Sequence, residues 1–547
     1  MRMRYIILLL GMLWLGVQAI HAQNYFWIGF TDKNNSEYSL DHPEMYLSER
    51  AIQRRINQNI AVDSLDLPVK QTYIDSVLTL EVELVHASKW LNGITVRCDS
   101  ATLADSLGNW SFIREVQLTK PGMSTKSLHN KFADEQLSDR APIDTSVYGA
   151  SVHQIGMMEG QVLHNENFRG QGIQIAVLDA GFYKVDELPA FDSLWANNQI
   201  LGTKDFVNPG DDFFSTNYHG MSVLSCMGGN IPGELIGTAP KASYWLLRSE
   251  ENDSEYIVEE DNWVAAAEFA DSVGVDIINA SLGYTEFDDA STNHTYADLD
   301  GKTTRVTRGA NIAASRGMLV FASAGNERDN SWFRIVAPSD GVNVIGVAAV
   351  DANFSPAFFS SAGPAVDGAL KPNVSAMGYS TTLQRSNGTV GIANGTSFSS
   401  PVLAGMAASL WQAYPEKTAV EIKTALEESG HLYNSPDSLQ GYGVPNMQVA
   451  CSLLNPAAAD ITTENRSWTI FPNPVKDRIV LKSATNIQAG RLDIKLYALD
   501  GRMVNNWQLP AAPIVTLNNL ETTESGIFLL LVKTKDGVET FKINKIR

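Results

Sequence analysis

Three stretches of this chain are apolar at almost every position rather than at every second one, and each closes on a polar residue beside a glycine. They are residues 173–181 (Ile-Gln-Ile-Ala-Val-Leu-Asp-Ala-Gly), residues 275–283 (Val-Asp-Ile-Ile-Asn-Ala-Ser-Leu-Gly) and residues 318–327, which reach Asn326 through Phe321-Ala-Ser-Ala-Gly. A strand of this composition has no face to offer water and must be covered on both sides. Between the strands lie helical patterns such as residues 261–273, where Trp263, Ala266, Phe269, Ala270 and Val273 share one face at helical spacing. Strands alternating with helices predict an α/β fold, a mostly parallel sheet with helices on both faces. In such sheets ligands bind beyond the carboxyl ends of the strands, so the closing polar residues are delivered to a functional edge.

Asp179 is the first of these. Taken singly, an acid before a turn glycine is a cap or turn residue. His219 opens a short apolar helical run, His-Gly-Met-Ser-Val-Leu-Ser-Cys-Met, and singly reads as a capping or core histidine. Ser397 stands in Asn394-Gly-Thr-Ser-Phe-Ser-Ser-Pro401, before a small-residue apolar run that continues to Trp411. That run predicts a buried helix with Ser397 at its N-terminus, where unpaired N–H groups and the positive dipole end favour a developing oxyanion. Serine is also an ordinary helix cap. It is the combination, in the order Asp, His, Ser, that points to nucleophilic catalysis.

The sequences around all three residues resemble the subtilisin-like serine peptidase (subtilase) family, over about residues 147 to 450. The family's second histidine on the short helix is replaced by Ser222, at a position that does not carry the chemistry. The resemblance implies that Asp179 orients His219, that His219 takes the proton of Ser397, and that Ser397 attacks the peptide carbonyl. It implies that Asn326 supplies an oxyanion-hole amide beside the backbone N–H of Ser397. It also implies that Ser281, Leu282 and Gly283 pair with an extended substrate and wall its primary pocket, whose floor is expected within residues 332–339. Read without it, Asn326 is a turn former and residues 275–283 a core strand closed by a turn glycine.

At 547 residues, 44% hydrophobic and 19% charged, the chain is a folded protein of several domains. Arg2 and Arg4, an apolar run over residues 5–17 and Ala-Ile-His-Ala at 19–22 read as a signal peptide (1–22). An uncut anchor is the alternative, although the run is shorter than the roughly 20 residues of a membrane span. Residues 23–120 read as a small α+β unit. Strands are expected at 25–30, 82–86, 90–96 and 113–118, and helices at 49–57 and 72–80. By position it resembles the propeptide of subtilases, an intramolecular chaperone and inhibitor; a separate binding module is the alternative. Residues 121–146 read as an exposed linker and 147–455 as the catalytic domain. The three cysteines, Cys98, Cys226 and Cys451, are no disulfide scaffold. Cys226 reads as a buried thiol, with a Cys226–Cys451 bridge left open.

A second linker covers residues 456–466, and residues 467–547 change to short strands with turn signals, which predicts a β-sandwich. Strands are expected at 468–471, 478–481, 491–497, 514–517, 526–532 and 538–543. Phe471-Pro-Asn-Pro474, Gly526-Ile-Phe528 and Lys542-Ile-Asn-Lys545 resemble the C-terminal sorting domain of type IX secretion cargo in Bacteroidota, with a ligand-binding sandwich as the alternative. Charge divides along the same boundary. Residues 461–547 carry 12 Lys and Arg against 8 Asp and Glu, a net +4, which leaves −24 on residues 1–460 of a total of −20. No basic patch of the nucleic-acid kind is present. The expected partners are protein or peptide substrates and the type IX secretion machinery, the protein reads as a monomer, and its destination is the medium or the cell surface. The chemistry requires no cofactor. Calcium stabilises many subtilases, and Asp211-Asp212 and Asp288-Asp289 are acidic candidates to which no ion can be assigned. A catalytically silent subtilase fold acting as a surface binding protein is the rival reading; the complete set Asp179, His219, Ser397 and Asn326 speaks against it.

Overall fold

A computed structural model describes residues 23–122, 131–132, 147–455, 468–472, 475–483, 490–498, 503–518, 520, 526–534 and 538–545. The signal peptide and the second linker fall outside these residues. Two compact units divide the chain at Leu454 and Asn455.

The larger unit is built on a seven-stranded sheet. Its order is Val374–Met377, Ile345–Val350, Leu319–Ser323, Ile277–Ala280, Gln174–Asp179, Ser243–Arg248 and Ile200–Asp205. Every neighbouring pair for which a register is defined runs parallel. The Gln174–Asp179 strand shows why its sequence is apolar throughout. Ile175 and Val177 enter one core with the helices His219–Gly228 and Thr396–Ala413, whereas Ala176 and Leu178 enter a second core with the helix Val258–Val273. Side chains alternate across a strand, so a helix layer on each face requires apolar residues at successive positions. In chain order the later strands are added first on one side of Gln174–Asp179 and then on the other. The reversal leaves a crevice at the carboxyl end of this strand, which is where Asp179 stands.

The propeptide-like unit has four antiparallel strands in the order Glu83–Ser88, Gly93–Cys98, Asn24–Phe30 and Ile113–Lys120. Helices Glu49–Asn57 and Gln71–Leu78 accompany them, close to the expected bounds. Alternation divides the work of the first strand. Phe26, Ile28 and Phe30 build a private core with Ile74, Val77, Ile94 and Val96, and Trp27 points the other way into the second core of the large sheet. The strand expected from Trp90 begins at Gly93, because Trp90 and Leu91 lie in a turn and also join that second core. A short helix, Leu103–Leu107, was not expected. Cys226 is buried as a thiol with Sγ 3.6 Å from the Ser222 carbonyl, and no disulfide joins it to Cys451.

The helix Val258–Val273 differs most from its expected role. Its apolar stripe meets the sheet as predicted, yet Glu259, Glu260, Asp261, Glu268 and Asp271 on the remaining surface are also buried. The propeptide-like unit covers Asp261, Glu268 and Asp271, with Thr95 Oγ1 donating to Asp261 at 3.1 Å, whereas Glu259 meets Lys131 and Glu260 is held within the catalytic unit by His294 Nε2 (2.5 Å) and the Val306 N–H (3.0 Å). Glu268 accepts from the backbone N–H groups of Lys89 (2.8 Å) and Trp90 (3.0 Å) and from Ser88 Oγ (2.5 Å). Asp271 meets Arg54 (2.6 Å), Arg55 (2.9 Å) and Lys89 (2.9 Å). Burial alone would raise the Asp271 carboxyl, but Lys89, Arg54 and Arg55 together pull it well below the usual carboxylate range.

The smaller unit is a sandwich of two antiparallel sheets. One is ordered Trp468–Phe471, Ile479–Ser483, Ile514–Leu517; the other is Met503–Pro510, Arg491–Ala498, Gly526–Lys533, Val538–Lys545. Trp468, Leu481, Ile494, Leu496, Leu530 and Phe541 share its core. Sequence reading missed Met503–Pro510. As an edge strand it buries none of its residues fully, so its Asn-Asn centre is tolerated and leaves no hydrophobic signature.

Candidate active site

Asp179 ends its strand, and its Oδ1 accepts from the backbone N–H of Ala180 at 2.8 Å. The same oxygen lies 2.6 Å from Nδ1 of His219, with both side chains fully buried. A carboxylate only accepts here, so Nδ1 carries the proton, which in the neutral form of the ring leaves Nε2 as the acceptor. The approach depends on Gly220. A Cβ at that position would stand 2.5 Å from the carbonyl oxygen of Gly181 and 2.7 Å from Cβ of Asp179. Any side chain there would push the His219 helix away from the strand. The His219 backbone N–H is held in turn by Asn217 Oδ1 at 2.7 Å.

Ser397 is the second residue of the 18-residue helix Thr396–Ala413, as the sequence predicted. Pro401 sits inside that helix. It has no N–H to return to the carbonyl four residues earlier, which belongs to Ser397. The orphaned carbonyl accepts instead from Ser281 Oγ at 2.7 Å. The hydroxyl of Ser397 lies 3.5 Å from the Ser281 carbonyl, so the two segments are tied in both directions. Asn326 is oriented just as firmly. Its Oδ1 accepts from both the N–H (2.9 Å) and the hydroxyl (2.9 Å) of Thr396. A backbone N–H can only donate, which fixes the amide: the oxygen faces Thr396 and Nδ2 is left to donate elsewhere.

Ser281, Leu282, Gly283, Asn326 and Ser397 all line one open cleft of about 530 Å³. Ser281 and Leu282 are buried, whereas Gly283 is exposed, so the backbone at the end of this strand is open for pairing. Of residues 332–339, Val336 lines the cleft.

Sequence reading missed two contributors. The first is a piece of the linker. Lys131 and Phe132, expected to be exposed, lie in the cleft, and the rest of residues 123–146 falls outside the described residues. The Phe132 ring stacks on the His219 imidazole with centroids 3.9 Å apart and planes 15° from parallel. The second is a trio of acids, Glu250, Glu255 and Glu259, whose carboxylates surround the Lys131 ammonium. A signal existed, since Glu250 follows the end of the strand Ser243–Arg248 by two residues, at the same sheet edge as Asp179. The acids singled out from the sequence behave differently. Asp211 pairs with Arg248 at 2.5 Å, Asp289 caps a short turn through Ser291, Asp212 is exposed, and Asp288, though exposed, lines the cleft and accepts from the Glu255 N–H at 3.1 Å.

The model of the subtilase family matches residues 170–443. The chain belongs to this family. As a subtilase it is a serine endopeptidase, and relatives agree along the catalytic domain. Subtilisin E of Bacillus subtilis is 28% identical over 312 residues, 55% of this chain and 72% of that one. Serine protease AprX of the same organism is 27% identical over 340 residues, 56% and 71% of the two chains. The fold matches the crystal structure of an epidermin leader peptide processing serine protease from Staphylococcus aureus. The TM-score is 0.52 at 17% identity, over 80% of this subtilase and 98% of the other chain. Two flanking domains are also matched. A Bacteroidota peptidase S8 propeptide domain covers residues 25–134, which includes Lys131 and Phe132, and a secretion system C-terminal sorting domain covers residues 469–545.

Proposed function

We propose that this subtilase is a secreted endopeptidase made as an inactive precursor, with Asp179, His219 and Ser397 as its triad. In this reading His219 takes the Ser397 proton through Nε2 and later gives it to the leaving amine, while buried Asp179 stabilises the imidazolium. Asn326 Nδ2 and the Ser397 N–H receive the oxyanion, and Ser281-Leu282-Gly283 hold the substrate backbone. No step requires a cofactor. The observation that carries the reading is the buried 2.6 Å contact between Asp179 and His219 beside the cleft lined by Ser397. The stacking of Phe132 on the His219 ring supports autoinhibition, because substrate and propeptide cannot occupy that face together. Among the described residues no helix is long and apolar enough to cross a membrane. The sorting domain supports export through the type IX machinery to the medium or cell surface.

The test is Ser397→Ala. The variant is expected to lose labelling by a fluorophosphonate probe and to keep residues 23–120 attached after secretion, while wild type sheds them by a cut within about residues 119–146, where exposed chain is open to cleavage. Undiminished peptide hydrolysis by the variant would falsify the triad, and identical N-termini in both proteins would assign processing to another protease.

A further inference from the structure

Three acids from three places in the chain converge on one point of the cleft. Glu250 follows the strand Ser243–Arg248, Glu255 lies in the next loop, and Glu259 is in the first turn of the helix Val258–Val273. One oxygen of each lies within 4.8 Å of the others. Glu250 and Glu259 are almost fully buried. The ammonium of Lys131 sits among them, 3.0 Å from Glu250 Oε2 and 2.8 Å from Glu255 Oε2, and in contact with Glu259 Oε2. Tyr284 Oη donates to the other oxygen of Glu250. The remaining oxygens of Glu255 and Glu259 are buried with no hydrogen-bond partner among the described residues.

Burial of carboxylates is costly unless a cation accompanies them. Here one ammonium serves three acids. Burial and the neighbouring Glu250 push the carboxyls of Glu255 and Glu259 above their ordinary range even with Lys131 opposing them, and the trio drives the ammonium of Lys131 well above its own. The segment that brings the lysine is the one whose next residue, Phe132, lies over His219 in the cleft that Ser397 lines. It therefore occupies ground that a substrate must use.

We propose that Glu250, Glu255 and Glu259 form a substrate subsite that selects a lysine side chain, with an aromatic residue following it against the His219 ring. The inference rests on the peptidase reading and adds its substrate class. Three acceptors gathered around a single point suit the compact ammonium and its three donors better than the planar fork of arginine. An apolar residue of equal length would leave the three acids, two of them almost fully buried, without a counter-charge.

The experiment uses the processed enzyme from the full chain and a matched set of internally quenched peptides. They contain Lys-Phe, Arg-Phe, norleucine-Phe or Glu-Phe in one otherwise constant sequence. Lys-Phe is expected to exceed norleucine-Phe in kcat/KM by at least about tenfold, the scale of a buried charge-assisted hydrogen bond. Glu-Phe should be the poorest, and mass spectrometry should place the cut at one fixed distance from the Lys-Phe pair. In Glu255→Gln and Glu259→Gln, measured on protein that still labels with a fluorophosphonate, the lysine-to-norleucine ratio should fall toward one. The wild-type series decides without either variant. Equal turnover of the lysine and norleucine peptides overturns the subsite and leaves the peptidase standing, whereas turnover of none of the peptides, with no probe labelling, overturns both.

Discussion

Pro401 and Ser281 are a matched pair of residues, and each explains the other. A proline six residues into a helix removes one N–H, and the carbonyl it abandons is that of Ser397. The Ser281 hydroxyl replaces the lost donor and so fixes the Ser281-Leu282-Gly283 segment to the start of the Ser397 helix. Ser281→Ala leaves a buried carbonyl unpaired, so it is expected to destabilise the protein by about 1–3 kcal/mol and to lower kcat. Pro401→Ala restores the helical N–H. In that background Ser281→Ala should cost clearly less, and a double-mutant cycle on thermal unfolding measures the difference. Additive effects would mean that the hydroxyl and the proline are unrelated. The sequence showed both residues but not this bond, because the link spans 116 positions and neither residue is unusual alone. The residues proposed as the triad were legible for the opposite reason: Asp179, His219 and Ser397 each sit where a strand or helix ends, and element ends can be read from local pattern. Glu250 occupies the same kind of position and was passed over because its partners, Glu255 and Glu259, look like solvated surface until the chain folds.

Among the elements, the strand Glu83–Ser88 carries the most telling group of the propeptide interface. His86 Nε2 faces two acceptors, the Phe206 carbonyl at 2.8 Å and Asn262 Oδ1 at 3.0 Å. Burial lowers its affinity for a proton, the two acceptors oppose this, and nearby Lys204 adds to it. A docked histidine with a depressed pKa holds its proton less well than a free one, so docking is strongest above the ordinary value of about 6.5 and weakens as pH falls below it. Asp271 titrates in a different window. Its carboxyl is depressed, so its contribution lasts until the pH falls below about 3.9. Propeptide release should therefore be promoted between neutral and mildly acidic pH by His86 and not by Asp271, while Glu268 and Asp261, whose carboxyls burial raises, oppose it. His86→Gln, which can still donate, should flatten that dependence when retention of the cleaved propeptide is followed by size-exclusion chromatography. An unchanged profile in the variant would assign the pH response elsewhere. Here too the sequence spoke in part. The helix at 49–57 and the strand pattern were visible in local periodicity, but Arg54, Arg55 and the acids of Val258–Val273 read as charged surface because each is the other's solvent.

At the scale of the whole molecule the two compact units part at Asn455. Truncation there is expected to leave a protease that labels with a fluorophosphonate but stays in the periplasm, since the catalytic unit has its own cores and the sorting domain is gone. Fusion of residues 461–547 behind a signal-bearing reporter should carry the reporter to the surface or medium of a host with type IX secretion. Wild-type amounts of truncated enzyme in the medium would return the sandwich to a ligand-binding role. In the proposed maturation the same molecule also loses a part at its other end. The propeptide's apolar anchors, Trp27, Trp90 and Leu91, would leave with it, and Val258–Val273 would keep both apolar members of the same core, such as Trp263 and Ala265, and the acids Asp261, Glu268 and Asp271 that had paired with the propeptide. A greasy scar would invite aggregation. Three carboxylates freed of their partners take up water beside the apolar ground, so the cover becomes disposable because part of its footprint is wettable.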